Sequence, residues 1–170
     1  SSHVSVTQVS CAYEAMAHYT DSINFACGYD ADNDDDTINQ KLIDDAIAVT
    51  KKADVVLLFL GLPEIMESEG FDRPHLQLPK QGIVLFETIQ KIHSTIVVVL
   101  SNGGVVELPE SFLKAKAIME GYLLGQNGGA ALSDLLFGKF SPCGRLPETI
   151  PISSTDIPSD LYFPGTRDRV

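Results

Sequence analysis

The stretch ADVVLLFLGL, residues 53–62, decides the fold. Its apolar residues follow one another without alternation, over a length that suits a strand better than a helix. A strand wetted on one face alternates, whereas a strand covered on both faces does not. TIVVVL, residues 95–100, repeats the pattern. INFA at 23–26 and AIMEGY at 117–122 are weaker strand candidates. Between these runs the period changes. Residues 37–52, TINQKLIDDAIAVTKK, set Ile38, Leu42, Ala46 and Val49 on one helical stripe with Ile43 and Ile47 beside it. Asp34, Asp35 and Asp36 stand before that helix, where carboxylates cap free amides, and Lys51 and Lys52 close it. A second helix is predicted over 80–92, after Pro79, carrying Ile83, Phe86 and Ile89. A third is predicted over 126–137, QNGGAALSDLLF, ended by Gly138. Strands alternating with helices predict an α/β fold: a mostly parallel open sheet sandwiched by helices on both faces.

The 170 residues suit a single domain over 1–170, with an extended, proline-rich tail from 143 to 170. The net charge of −11, from 23 acids against 12 bases, argues against nucleic acid and against anionic membrane surfaces as partners. No apolar run approaches the roughly 18 residues of a membrane helix. No charged-then-apolar leader is visible, and the opening SSHVSV lacks a methionine, so a removed leader or a piece of a longer chain is expected. Cys11, Cys27 and Cys143 form no C-x-x-C pair. They read as buried or half-buried thiols in a reducing compartment, which makes a cytoplasmic location the expectation.

In open parallel sheets, ligands sit at the carboxyl ends of the strands. Three loops leave such ends: 61–79, 101–104 (SNGG) and 121–129 (GYLLGQNGG). The first is long for a strand-to-helix link, and long loops carry function or move. Several familiar chemistries fail on inspection. DADNDDD, residues 30–36, offers Asp30, Asp32 and Asp34 to a calcium loop, but Asp35 stands where glycine is needed and Lys41 where the glutamate belongs. The glycine loops lack GxGxxG and the P-loop lysine, and no G-x-S-x-G elbow occurs. His3, His18, His75 and His93 have no ligand spacing. No cofactor and no metal are expected.

What remains is ESEGFDR, residues 67–73. In an extended segment Glu67 and Glu69 would point the same way, and neighbouring like charges raise one proton affinity, as a general acid requires. Asp72 and Arg73 suit either an anchor for the loop or a grip on a hydroxyl-rich ligand. An acidic surface loop with an internal Asp–Arg pair is the plain alternative.

The string ESEGFDRPHLQLPKQ after LGL resembles the second domain of glycoside hydrolase family 3, the β-glucosidase family. SNGGVVELP is similar to that domain's N-G-S-P-V turn, with Gly104 and Val105 where Ser and Pro are usual. GYLLGQNGGAALSDLLFGKFSPCGRLPETIP is similar to its G-Q-x-G-G run, with Ser133 for Ala and Cys143 for Ser, and LYFPG to the stretch leading out of it. The likeness covers roughly residues 20 to 165, and implies the flavodoxin-like layering of that family's α/β sandwich. It also implies a retaining hydrolase of terminal β-D-glucosides or related β-glycosides. By motif match the acid/base falls on Glu69, with Glu67 as the fallback. The aspartate nucleophile belongs to an N-terminal (β/α)8 barrel, which needs about 250 residues and is absent from this chain. The partners implied are that barrel and the β-glycoside. The chain alone is expected to be inactive, and its open barrel-facing surface to favour self-association. The other readings are a stand-alone sugar- or nucleotide-binding module and a protein-interaction domain. With no partner to hold it, the 61–79 loop is expected to be mobile.

Overall fold

The computed structural model describes residues 5–31, 37–163 and 165. Its elements run α1 (Ala12–Met16), α2 (Gln40–Thr50), β1 (Val56–Gly61), α3 (Lys80–Gln90), β2 (Ile96–Ser101), β3 (Ala117–Glu120) and α4 (Gly128–Leu136). The three strands are parallel in the order β1-β2-β3. Val56 faces Ile96 and Gly61 faces Ser101 across one pair, and Val98 faces Ile118 across the other. The continuous apolar runs form the strands because β-branched side chains fit a pleated surface that is covered on both sides.

One sheet face presents Leu58, Leu60, Ile96, Val98 and Leu100. They join Ile43 and Ala46 of α2, and Leu85, Phe86 and Ile89 of α3, in a single core cluster. Phe112, from a 3-10 turn at Glu110–Lys114, enters the same cluster and meets the Phe86 ring edge to face at 4.2 Å between centroids. Both rings are fully buried, and each such burial stabilises by about 1.5–3 kcal/mol. On the opposite face, Leu132 of α4 and Val99 of β2 both approach Gly121 at the end of β3. α1 packs on α4: Ser133 is wholly buried, its hydroxyl donates to the Gly129 carbonyl at 2.8 Å, and the carbonyl of Ala12 lies 3.3 Å away. The helices therefore lie on both faces, as the unbroken apolar runs require. No helix among the described residues is long and apolar enough to cross a membrane.

Several local expectations need correction. Residues 23–26 form no strand. Phe25 is 66% exposed, its ring 5.5 Å from that of Tyr13, and the next feature is the Tyr29 hydroxyl, which donates to the outer carbonyl of Phe59 at 3.3 Å. A side chain thus occupies part of the β1 edge where a further strand would pair. The helix predicted from residue 37 begins at Gln40, and its cap is Asn39, whose Oδ1 accepts from the Leu42 amide. Asp34, Asp35 and Asp36 lie outside the described residues. The short α1 carries no helical stripe and went unpredicted. All three cysteines are exposed: Cys11 and Cys143 lie in the N-terminal segment and the tail, and Cys27 turns outward between Ala26 and Tyr29, which pack on the core. The tail holds two 3-10 turns, Ser154–Asp156 and Asp160–Tyr162, and otherwise irregular backbone among its described residues.

Candidate functional site

The carboxyl ends of the three strands bring the three predicted loops to one edge. β1 ends at Gly61, and the chain turns through Pro63 into a 3-10 turn at Glu64–Met66. The segment after it is not extended: Glu67 has φ −123° and ψ 12°, and Gly70 has φ 87°, a left-handed turn that suits glycine. Glu67 and Glu69 therefore do not share an environment, contrary to the extended reading. Glu67 points at the SNGG turn. Its Oε1 accepts from the amides of Gly103 at 2.8 Å and Gly104 at 2.9 Å, and its Oε2 from Gly103 at 2.9 Å. Glu69 is exposed, and its carboxylate has no hydrogen bond or ion pair among the described residues.

Asp72 is exposed and makes no ion pair with Arg73 among the described residues. Arg73 is half-buried and donates from Nη2 to the carbonyl of Val105 at 2.9 Å. Beyond it, the Glu107 amide donates to the Leu76 carbonyl at 2.8 Å, within an isolated bridge between Gln77 and Glu107. The long loop is thus tied at several points to the chain that follows β2, so the premise that nothing holds it is corrected. His75 is exposed. His93 is a packed histidine, bonded through its ring to the Ala53 carbonyl and the Thr95 amide.

Two residues that sequence reasoning did not select complete the edge. Asn102 is fully buried, and its amide nitrogen donates to the Gly104 carbonyl at 2.9 Å and to Glu120 Oε2 at 3.4 Å. Glu120 ends β3 and accepts at Oε1 from the Tyr122 amide at 3.0 Å. Burial pushes the Glu120 carboxyl above the usual carboxylate range; the two hydrogen bonds oppose this, and the charge of Glu67 adds to it. An acidic residue at the end of an apolar strand, in AIMEGY, was the available signal. A cleft of about 220 Å3 at the end of β1 is lined by Tyr29, Phe59, Leu62 and Ser101, and by none of the predicted site residues. The described residues contain no group of three or more His, Cys, Asp or Glu placed to hold a metal ion.

The edge therefore offers, on a loop held by its neighbours, the exposed carboxylates of Glu69 and Asp72, neither of which is hydrogen-bonded or ion-paired among the described residues. Comparison with known proteins finds the same domain. The glycosyl hydrolase family 3 C-terminal domain matches residues 1–169. An exo-α-(1→6)-L-arabinopyranosidase of Bifidobacterium longum is 42% identical over 170 residues, covering 100% of this chain and 22% of that protein. Thermostable β-glucosidase B of Acetivibrio thermocellus is 42% identical over 173 residues, with the same coverage, 100% and 22%. The crystal structure of a Bifidobacterium adolescentis GH3 β-glucosidase superposes with a TM-score of 0.90 at 42% identity, over 96% of this chain and 24% of that one. The chain spans about a fifth to a quarter of the length of these relatives.

Proposed function

The chain belongs to the glycosyl hydrolase family 3 C-terminal domain family, and from that premise we propose that Glu69 is the acid/base of a retaining β-glycosidase whose nucleophile lies on another domain. An aspartate of an N-terminal barrel attacks the anomeric carbon. Glu69 protonates the departing glycosidic oxygen, then takes a proton from the water that releases the sugar. The two carboxyls must come within about 5–5.5 Å for this route. The observation that carries the reading is the contrast within one loop: Glu67 commits both oxygens to backbone amides, while Glu69 is exposed and has no partner among the described residues. Asp72, also exposed, is the candidate for gripping a sugar hydroxyl, and Arg73 for anchoring the loop.

The same reading makes the 170-residue chain inactive alone, since an acid without a nucleophile forms no glycosyl-enzyme. That reading also places most sugar contacts, and with them sugar choice, on the barrel. The test is Glu69→Ala in the complete enzyme, assayed on aryl β-glucosides with azide as an external nucleophile. Turnover of poor leaving groups should collapse, activated ones should still react, and azide should restore rate as the glycosyl azide. Unchanged turnover would move the assignment to Glu67. Sustained release of p-nitrophenol from a β-glucoside by the isolated chain would overturn the division of labour.

A further inference from the structure

We propose that Glu67 and Arg73 are positioning residues, a two-handed clamp that fixes Glu69 against the turn after β2; this rests on the reading of Glu69 as proton donor. The two grips fall on three consecutive residues. Glu67 takes the amides of Gly103 and Gly104, and Arg73 takes the carbonyl of Val105. Between the grips lie residues 68–72, so the segment bearing Glu69 is pinned at both ends. Amides donating to an ionised carboxylate, and a guanidinium donating to a carbonyl, are charge-assisted bonds, stronger than their neutral counterparts. The receiving turn is itself braced: Asn102 ties the Gly104 carbonyl to Glu120 at the end of β3.

The glycines of the turn fit this role. A Cβ at Gly103 would stand 3.2 Å from Glu67 Oε1 and 3.0 Å from Leu123 Cδ1. A Cβ at Gly104 would stand 2.9 Å from Arg73 Nη2. Side chains there would press on both grips, so the bare backbone is what lets the two hands close. Positioning matters because a displacement of about 1 Å at a reacting group costs on the order of 10²-fold in rate.

The test uses the complete enzyme with Glu67→Ala, Glu67→Gln and Glu69→Ala. For Glu67→Ala, kcat on poor leaving groups should fall by about 10²-fold. Azide should give no rescue, because the Glu69 carboxylate is still present and the space vacated lies at the Gly103–Gly104 turn, not at the acid/base position. The limb of the pH–rate profile set by the acid should persist in Glu67→Ala and disappear in Glu69→Ala. Glu67→Gln retains one acceptor oxygen for the turn and should recover at least about tenfold of the loss, since hydrogen bonds to neutral groups are roughly half as strong as to charged ones. Hydrogen exchange at the amides of Gly103 and Gly104 should speed up by about tenfold or more in Glu67→Ala. Unchanged exchange there, wild-type kcat, or azide rescue of Glu67→Ala equal to that of Glu69→Ala would each overturn the clamp. Unchanged turnover in Glu69→Ala would instead remove the acid assignment, and the exchange rates would still judge the clamp.

Discussion

Gly129→Ala puts two opposed effects in competition at one position. Gly129 lies in the first turn of α4, where replacing glycine by alanine favours the helix by about 0.8–1 kcal/mol. The tertiary structure opposes it. A Cβ at Gly129 would stand 2.3 Å from the Ser10 carbonyl oxygen, 2.5 Å from the Ala12 nitrogen and 2.6 Å from the Cys11 carbonyl carbon. Each is about 1 Å short of an ordinary contact near 3.5 Å, and all three are backbone atoms that cannot rotate away. Overpacking of this kind costs about 1–3 kcal/mol. Retreat of the N-terminal segment would also stretch the hydrogen bond from the Ser10 amide to the Gln126 carbonyl at 2.9 Å. That bond contributes about 0.5–1.5 kcal/mol net.

The clash and the weakened bond together outweigh propensity, leaving a loss of about 0.5–4 kcal/mol. In a domain of this size that lowers Tm by roughly 1–15 °C. Urea denaturation followed by circular dichroism should show the midpoint falling with an unchanged slope. Gly125→Ala is the control: a Cβ there meets nothing within 4 Å, and the change should stay within about 0.5 kcal/mol. A Gly129→Ala chain as stable as the wild type, or more so, would mean that propensity wins and that residues 10–12 do not rest on α4.

Two further outcomes follow from the core and the sheet edge. Phe112→Ala should destabilise by about 3–5 kcal/mol, of which about 0.5–1.5 kcal/mol is the lost pair with Phe86, measured by the same denaturation; a loss under about 1 kcal/mol would contradict its burial. Because the Glu120 carboxyl is raised in the fold by burial, the folded chain binds its proton more tightly than the unfolded one, and stability is lost as pH rises through the folded value. Glu120→Gln should therefore match the wild type at acid pH and gain on it towards neutral pH, by a modest amount because the side chain is partly exposed; a gap of the opposite sign in urea midpoints across that range would refute this.

The strands and the three longer helices were legible because each is written in a local period. Runs such as VLLFLG and IVVVLS need no knowledge of distant residues to be read as strands covered on both faces. α1 was missed because five residues hold no measurable stripe. INFA was misread because four residues cannot signal whether a neighbouring strand exists to pair with. The helix predicted from residue 37 starts three residues later, at Gln40, for a related reason: local signals place a helix start only to within a few positions.

The site shows where local reading stops. ESEGFDR could be singled out by its composition and its place after a strand, but its geometry could not. The inference that Glu67 and Glu69 act on each other assumed an extended backbone, in which residues two apart share a face. A 3-10 turn before Glu67 and a left-handed Gly70 remove that premise, and one carboxylate turns inward while the other stays in solvent. The direction of Glu67 is set by amides 36 and 37 positions away along the chain. Nothing in the seven residues encodes that distance. It is the parallel β1–β2 pairing, with Gly61 beside Ser101, that delivers the SNGG turn to the acidic loop. The division between an anchoring and an unpartnered glutamate is therefore a property of the sheet, and it becomes readable only once the strands are in register.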